Sequence, residues 1–344
     1  MAQEKYVAYV GTYTHENSIG IHVYDIDMEK GKLTERSVAP ISNPSNIAVA
    51  HSGKYLYSIE DEGVASFSID ENGDLTKINQ AWIGGMRACY VEIDSNDRYL
   101  FLAGFHDGKV TMMRLNEDGS IAGIADGVFH QGVGKSSVEK RMDPRVSCTK
   151  LTPDEKYLCA VDWGLNQIKI YEVDYEEGKL HLYDILRFPF NSAPRRIRFS
   201  KDGKFAYVLE ETTNMVDIYT YDLREGKPVF EKIKTTSVLE KEDSLASGSA
   251  LEFAPDGKYL YVSLDGANEV VCLAVGEDGL ISIEETTKIS GDYPKCITIL
   301  PDNKTLVSLN HDSNEIRTFT VDHEKKCVFT IIIPDVPVDG ECMR

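Results

Sequence analysis

Several short patterns in the sequence contain residue types that bind phosphate, metal ions or nucleotides. Gly132–Ser136 reads Gly-Val-Gly-Lys-Ser, but the first glycine that a phosphate-binding loop requires falls at Phe129, and no strand–loop–helix pattern surrounds it. The acidic run Asp70–Asp74 is too short for a calcium-binding loop and is typical of a hairpin turn. No Gly-x-Ser-x-Gly, His-Glu-x-x-His or dinucleotide-binding motif occurs. The local motifs therefore predict neither a cofactor nor a bound metal.

The histidines and cysteines lead to the same prediction. The eight histidines show no metal-ligand spacing, and no Cys-x-x-Cys pair occurs, which leaves open only a metal held by ligands from separate blades. The cysteines are odd in number and scattered, which is typical of reduced thiols in a cytoplasmic protein rather than of a disulfide framework. We expect Cys89 and Cys148 to be buried packing residues, because no neighbouring base is indicated.

Composition and charge limit the classes of function. The chain has 344 residues, of which 42% are hydrophobic and 27% charged, as in a folded protein with a buried core. Its formal net charge of −19 repels phosphate backbones and anionic lipids, so we expect no nucleic-acid and no membrane partner. The first residues show no signal-peptide pattern, and no apolar stretch approaches the roughly 18 residues of a membrane span. A cytoplasmic location is therefore expected.

An internal repeat indicates which elements would position a site. A polar turn, a lysine or arginine and then an apolar strand recur along the chain, and the strands begin 44 to 58 residues apart. This period is typical of a β-propeller blade. The strands of the seven copies begin at Tyr6, Tyr55, Tyr99, Tyr157, Phe205, Tyr259 and Thr305.

The seven copies account for the whole chain, and no linker interrupts them. Polar–apolar alternation in Asn166–Tyr171 and Asn268–Ala274 is typical of half-buried strands. We therefore predict an all-β fold, a seven-bladed β-propeller of four-stranded antiparallel blades that forms one domain over residues 1–344. A pair of β-sandwiches is the alternative, but it does not explain seven evenly spaced copies. Gly123–Pro144 is expected to be an irregular insertion.

The two ends of the chain are predicted to share one blade. Tyr6–Val10 is a strand without its own turn, whereas Ile316–Val321 and Val328–Ile333 are surplus strands near the C-terminus. Pairing them would close the ring of blades and cover edge strands that otherwise promote aggregation.

A set of short motifs is spread over essentially the full length of the chain. They are Tyr9–Thr14, Asn43–Ser45, Leu151–Leu158 with Asp162–Gly164, Pro194-Arg195, Glu210-Glu211, Pro255–Ser263, and Gly291–Pro294 with Asn310. Together these motifs resemble the lactonase family of seven-bladed β-propellers, which contains cycloisomerase-type 6-phosphogluconolactonases and fungal carboxymuconate lactonising enzymes. The resemblance implies a lactone-hydrolysing enzyme with its site in the central channel.

The catalytic residues proposed for that family are carried over unevenly. The resemblance places the catalytic glutamate at Glu211 and the arginine of a Pro-Arg pair at Arg195. Two histidines of the family fall on Arg145 and Ser147, and a second arginine falls on Asp265, so those groups are absent.

Other positions expected at the channel differ from the family while the scaffold motifs remain. The last Pro-Arg pair is Pro294-Lys295, an asparagine of the second blade is Gly104, and a histidine beside Cys89 is Tyr90. This pattern indicates either a changed substrate specificity or a lost activity.

The remaining residues permit ester hydrolysis. Opening a lactone requires a base that activates water and a positive group that stabilises the oxyanion. We predict Glu211 as the base and Arg195 as the positive group, because a guanidinium binds an oxyanion or a phosphate through its planar fork. A structural ion pair is the alternative for both. The residues predicted to bind substrate are Arg145, Ser147, Arg196, Lys295, Asn310, His311 and His106.

Two classes of function are consistent with these residues. The first is a lactone hydrolase acting on a small anionic sugar lactone, with 6-phosphogluconolactone as a candidate substrate, and it requires positive charge around Arg145 and Arg195. The alternative is a non-catalytic binding module, or a cycloisomerase or lyase acting on another small acid. Converging Arg145, Arg195 and Glu211 would favour the hydrolase, whereas an apolar plug would favour the module.

Overall fold

The structure, a computed structural model, describes residues 6–15, 17–132, 143–241, 245–323, 328–332 and 340–343. These residues form 28 strands in seven four-stranded antiparallel sheets and no α-helix. The prediction of an all-β, seven-bladed β-propeller fold is therefore confirmed. Each sheet consists mostly of strands that are consecutive in the chain, as the strand-and-turn repeat requires.

The strands are β1 Tyr6–Thr12, β2 Gly20–Asp27, β3 Lys32–Pro40, β4 Ile47–Val49, β5 Tyr55–Glu60, β6 Gly63–Ile69, β7 Leu75–Trp82, β8 Tyr90–Ile93, β9 Tyr99–Ala103, β10 Lys109–Leu115, β11 Ile121–Phe129, β12 Val146–Leu151, β13 Tyr157–Asp162, β14 Gln167–Asp174, β15 Lys179–Arg187, β16 Pro194–Phe199, β17 Phe205–Glu210, β18 Met215–Arg224, β19 Lys227–Ser237, β20 Ser247–Phe253, β21 Tyr259–Asp265, β22 Glu269–Val275, β23 Ile281–Lys288, β24 Pro294–Ile299, β25 Thr305–Asn310, β26 Glu315–Asp322, β27 Val328–Ile332 and β28 Gly340–Met343. The sheet orders are β28-β1-β2-β3, β4-β5-β6-β7, β8-β9-β10-β11, β12-β13-β14-β15, β16-β17-β18-β19, β20-β21-β22-β23 and β24-β25-β26-β27.

The chain divides into two compact units, residues 46–197 and residues 1–45 with 198–344. In the first unit, Tyr57 and Ile59 of β5 share a buried apolar cluster with Leu102 of β9. In the second, Leu209 of β17 shares one with Val262 of β21. Neighbouring sheets thus bury their apolar faces against each other within each unit. The organisation of residues 1–344 as one domain stays a prediction.

The repeated turn between the first two strands of a sheet needs one residue in the left-handed backbone conformation. Glycine adopts it without a steric penalty, and asparagine and aspartate tolerate it better than most residues. In each of the six described turns a lysine or arginine follows that residue. The φ angles are 69° at Gly53, 55° at Asp97, 56° at Glu155, 72° at Gly203, 77° at Gly257 and 55° at Asn303.

A C-terminal strand does pair with β1, but it is not one of the expected strands. Val10 lies opposite Met343 of β28. The strands predicted for this pairing are instead β26 and β27, which complete the preceding sheet. The reason is the order of the strands along the chain. Because β26 and β27 directly follow β24 and β25 and complete their sheet, residues 340–343 are left to pair with β1.

The predicted irregular insertion is also partly wrong. Residues 121–129 form β11, which pairs with β10 from Lys109 opposite Phe129 to Leu115 opposite Ile121, with two register shifts. Those shifts explain why strict polar–apolar alternation was not visible in the sequence. Residues 133–142, including most of the Gly132–Ser136 pattern and Lys135, Lys140 and Arg141, lie outside the described residues.

Candidate active site

The nine predicted site residues lie at one end of their own sheets, which we call the site end. It is the end at which the first strand of a sheet begins and the second strand turns into the third. The first group lies at or just before the start of first strands, and it comprises Arg145, Ser147, Arg195, Arg196 and Lys295. The second group lies at or just before the turns after second strands, and it comprises His106, Glu211, Asn310 and His311.

The turns after the second strands of five sheets share a backbone feature that sequence reasoning missed. Each has a left-handed residue, and the side chain three positions earlier opens the turn. Asparagine and glycine adopt this conformation readily, so the turn chemistry fixes which residue is presented at the site end. The pairs are Phe105 with Gly108 (φ 65°), Trp163 with Asn166 (53°), Glu211 with Asn214 (53°), Asp265 with Asn268 (54°) and His311 with Asn314 (50°).

In residues 46–197, Arg145 lies against two aromatic rings. Its Cζ atom is 5.3 Å from the ring centroid of Phe105 and 5.5 Å from that of Trp163, and the two rings are 5.8 Å apart. Arg145 remains exposed, as does His106, whose ring centroid is 5.9 Å from that of Phe105. The rings orient the guanidinium and leave it accessible, which suits it to binding an anion.

The other predicted residues of this unit are tied to backbone groups. The Ser147 hydroxyl donates to the carbonyl of Arg195 at 2.9 Å. The Arg196 guanidinium donates to the carbonyl of Ser147 at 2.6 Å and lies 5.1 Å from the ring centroid of Tyr90. These bonds hold the starts of β12 and β16 together. Ser147 is buried and Arg195 is half-buried, and their roles toward substrate stay predictions.

Cys89 is a free thiol that lies beside the start of β12. Its Sγ–H donates to the carbonyl of Val146 at 3.4 Å. Burial raises the pKa of Cys89 to about 11, although the positive charge of Arg196 acts in the opposite direction. A protonated thiol is a packing residue rather than a nucleophile, as expected for Cys89, but this side chain is half-buried and not buried as predicted, whereas Cys148 is fully buried as predicted.

In residues 1–45 and 198–344, Lys295 also lies against two aromatic rings. Its Nζ atom is 5.1 Å from the ring centroid of Tyr13 and 5.7 Å from that of Tyr293. The ring of His311 is 5.6 Å from each of these tyrosines, and His15 stacks on Tyr13 at 5.7 Å. The arrangement combines a cation, imidazoles and apolar ring faces, which together can bind a hydroxylated anion.

A hydrogen-bonded chain supports the turn that carries Tyr13. Ser18 Oγ lies 2.8 Å from His22 Nε2, and His22 Nδ1 lies 3.0 Å from Glu35 Oε2. This order resembles a nucleophile, a base and its orienting acid. Ser18 is buried, however, and its hydroxyl also contacts that of Thr12. We therefore interpret the chain as support for the β1–β2 turn.

Asn310 and Glu211 have different surroundings. Asn310 is fully buried, and its Oδ1 accepts the Ser308 hydroxyl at 2.7 Å. Glu211 is half-buried directly after β17, and its backbone carbonyl accepts the N–H of Gly248 at 3.0 Å. The substrate role of Asn310 and the catalytic role of Glu211 both stay predictions.

Among the described residues, no group of three or more His, Cys, Asp or Glu side chains could hold a metal ion. In the same part of the chain, no helix is long and apolar enough to cross a membrane.

Comparison with known proteins shows similarity over nearly the whole chain. The sequence profile of a family described as "Lactonase, 7-bladed beta-propeller" matches residues 7–332. A 6-phosphogluconolactonase of Bacillus subtilis (strain 168) is 31% identical over 328 residues, which cover 93% of this chain and 92% of the relative.

Solved structures agree with the sequence comparison. A putative 6-phosphogluconolactonase from Bacteroides fragilis superposes with a TM-score of 0.90 at 27% identity, covering 100% of this chain and 98% of that chain. A periplasmic gluconolactonase of Pseudomonas aeruginosa superposes with a TM-score of 0.91 at 26% identity, covering 99% of each chain. Because that neighbour is described as periplasmic, the cytoplasmic location of this chain stays a prediction.

Proposed function

Because the chain belongs to the lactonase family of seven-bladed β-propellers and is a lactone-hydrolysing enzyme, we propose that its substrate is an anionic sugar lactone. The observation that carries this proposal is that each unit holds a cation against two aromatic rings at the site end of one of its own sheets, Arg145 in one unit and Lys295 in the other. In a chain with a net charge of −19, such cations provide local attraction for an anion. The rings beside them suit the apolar faces of a sugar.

In the proposed reaction, Glu211 is the general base. Its carboxylate accepts a proton from water while the water oxygen bonds to the lactone carbonyl carbon. The carbonyl oxygen becomes an oxyanion, and Arg195 is proposed to stabilise it. The intermediate collapses as the ring C–O bond breaks, and the leaving oxygen takes the proton from Glu211. The product is the open-chain hydroxy acid.

The charge of the substrate is tested by comparing two lactones that differ in one phosphate. 6-Phosphogluconolactone is the first candidate, since the Bacillus subtilis relative is named for it, and glucono-1,5-lactone is its neutral counterpart. A charged hydrogen bond contributes about 1.5–3 kcal/mol, so we expect kcat/KM to be roughly tenfold or more higher for the phosphorylated lactone. The difference should shrink as salt is added.

Hydrolysis is followed by proton release in weak buffer, after subtraction of the spontaneous rate. Equal kcat/KM for the two lactones would contradict the anionic substrate. Absence of hydrolysis of both, and of a wider panel of sugar lactones, would contradict the sugar-lactone assignment.

Glu211→Gln tests the base, because it keeps the shape of the side chain and removes its charge. Loss of a general base costs about 10²–10⁴-fold in rate, so kcat should fall by that order. Glu225→Gln, at an exposed position in the β18–β19 turn, is the matched control and should leave kcat unchanged. If Glu211→Gln is as active as the wild type, the base lies elsewhere, and His106 and His311 are the next residues to replace.

Arg195→Lys tests the positive group. A lysine keeps the charge but loses the planar fork, so we expect a lower kcat for the best lactone of the panel. An unchanged kcat would mean that Arg195 acts only in the structure of β16.

A further inference from the structure

The rings of Phe105 and Trp163, against which Arg145 lies, are called its seat. A buried histidine–aspartate pair lies directly behind this seat. His130 follows β11 and Asp162 ends β13, and neither side chain is exposed. His130 Nδ1 lies 2.6 Å from Asp162 Oδ2. The other carboxylate oxygen of Asp162 accepts the backbone N–H groups of Arg145 at 2.9 Å and Leu165 at 3.0 Å. A buried carboxylate is costly unless it is hydrogen-bonded, and both oxygens of this one accept hydrogen bonds.

The pair connects the three segments that form the seat. Arg145 is held at both backbone groups, because its carbonyl also accepts the N–H of Trp163 at 2.9 Å. The N–H of His130 donates to the carbonyl of Gly108 at 2.8 Å, in the turn that carries Phe105. The segment of Phe105 is thereby tied to the backbone of His130, and the segment of Arg145 to the side chain of Asp162, which directly precedes Trp163.

The contacts among these segments leave little freedom for any of them. A Cβ atom on Gly164 would lie 1.9 Å from the carbonyl oxygen of Asp143, and one on Gly108 would lie 2.4 Å from the Cβ of Pro144. The strand start that carries Arg145 therefore packs directly on two glycine backbones. A shift of the His130–Asp162 pair must move the seat as well.

The hydrogen bonds also define the state of the imidazole. Among the described residues, the buried Nε2 of His130 has no hydrogen-bond partner. A neutral ring with its proton on Nδ1 donates to Asp162 and leaves only a lone pair uncompensated. A charged ring would instead bury an unpaired N–H at Nε2, which costs more free energy than an unpaired lone pair. The bond to Asp162 is then charge-assisted and among the stronger kinds.

We propose that His130 and Asp162 are positioning residues, which hold Arg145 against Phe105 and Trp163 so that its guanidinium receives the anionic group of the ligand. The identity of the ligand rests on the proposed function, whereas the positioning role does not. The pair touches no substrate in this proposal and acts only through Arg145.

The first test needs no ligand. The sequence has two tryptophans, so a Trp82→Phe parent leaves Trp163 as the single reporter of the seat. His130→Leu removes the hydrogen-bond donor at similar volume, whereas His130→Asn places an amide donor near the Nδ1 position. We expect acrylamide quenching of Trp163 to rise about twofold in His130→Leu and to return close to the parent value in His130→Asn, because only the donor is restored.

Asp217→Asn is the matched control. Asp217 is likewise fully buried and pairs with Lys232 at 2.6 Å, but it belongs to the other unit. It should lower stability without changing the quenching of Trp163.

If His130→Leu does not fold, Asp162→Asn replaces it, since an amide at 162 forces His130 to accept at Nδ1 and to bury an unpaired Nε2–H. Folded variants with unchanged quenching would overturn the proposal.

The second test uses 6-phosphogluconate as the probe and measures its Kd by calorimetry. His130→Leu should raise Kd about tenfold, and His130→Asn should restore it to within about threefold. If His130 acts through Arg145, adding His130→Leu to Arg145→Leu should change Kd no further, because the two positions are coupled. Additive effects would overturn the proposal. Absence of binding to the parent would count against the anionic ligand, and the quenching measurement would still decide the positioning role.

Discussion

Lowering the pH from 7.5 to 5.5 is expected to destabilise the protein through His130. Burial holds the pKa of His130 below its ordinary value, and the nearby Lys169 acts in the same direction, while the bond to Asp162 opposes both. We expect burial to prevail because a charged ring would bury an unpaired N–H at Nε2, which has no partner among the described residues. The unfolded chain has the ordinary pKa of about 6.5.

The sign follows from which state binds more protons. Below about pH 6.5 the unfolded histidine is protonated and the folded one is not, so the stability present above that pH is lost as the pH falls. Between pH 7.5 and 5.5 the unfolded group goes from about 10% to about 90% protonated. If the folded ring stays neutral throughout, the linkage relation gives a loss of about 1.4 kcal/mol in the free energy of unfolding.

The assay is urea unfolding followed by circular dichroism at both pH values. Other carboxylates and histidines titrate in every variant, so the quantity of interest is the difference between wild type and His130→Asn. The variant should lose less stability than the wild type over this interval, with about 1.4 kcal/mol as the upper limit of the difference. His181→Asn, which replaces an exposed histidine on β15, should behave as the wild type does. An identical pH dependence in wild type and His130→Asn would refute the reasoning.

Three further outcomes follow from individual contacts. Tyr207→Phe removes a fully buried hydroxyl that donates to the carbonyl of Gly279 at 2.8 Å, so urea unfolding should show a loss of about 1–2 kcal/mol, against nearly none for the exposed Tyr183→Phe. Cys89, with a pKa of about 11, should react with iodoacetamide at pH 7.5 far more slowly than in the urea-unfolded chain; comparable labelling in mass spectrometry would contradict its burial as a thiol. Gly164→Ala places a Cβ atom 1.9 Å from the Asp143 carbonyl, so the segment of Arg145 must shift and the Kd for 6-phosphogluconate should rise, unless the anion binds without Arg145.

Much of the fold could be predicted because its determinants are local. The turn residue before each lysine or arginine and the apolar strand after it lie within a few positions of one another, and the left-handed φ values from Gly53 to Asn303 show that the repeated pattern has one backbone cause. The partner of β1 was misassigned because any later strand satisfies the same local pattern. Only the hydrogen-bonded order of the sheets decides between residues 328–332 and 340–343.

The candidate site likewise has residues that the sequence predicts and contacts that only the structure shows. The resemblance to the lactonase family identified Arg145, Lys295 and His311 as candidates, because each stands at or beside a position that the family places at its channel. The sequence does not reveal that Arg145 lies against both Phe105 and Trp163, or that the Ser147 hydroxyl donates to the carbonyl of Arg195.

The His130–Asp162 pair depends most on tertiary structure. Its members are 32 residues apart, and no local pattern marks either of them as partners. They meet because the end of β11 folds against the turn that follows β13, where water is excluded and a carboxylate must find all its hydrogen bonds inside the protein. Turn chemistry and strand periodicity are therefore readable from neighbouring residues, whereas the state and the partners of a buried charge are decided only by what the packed sheets bring around it.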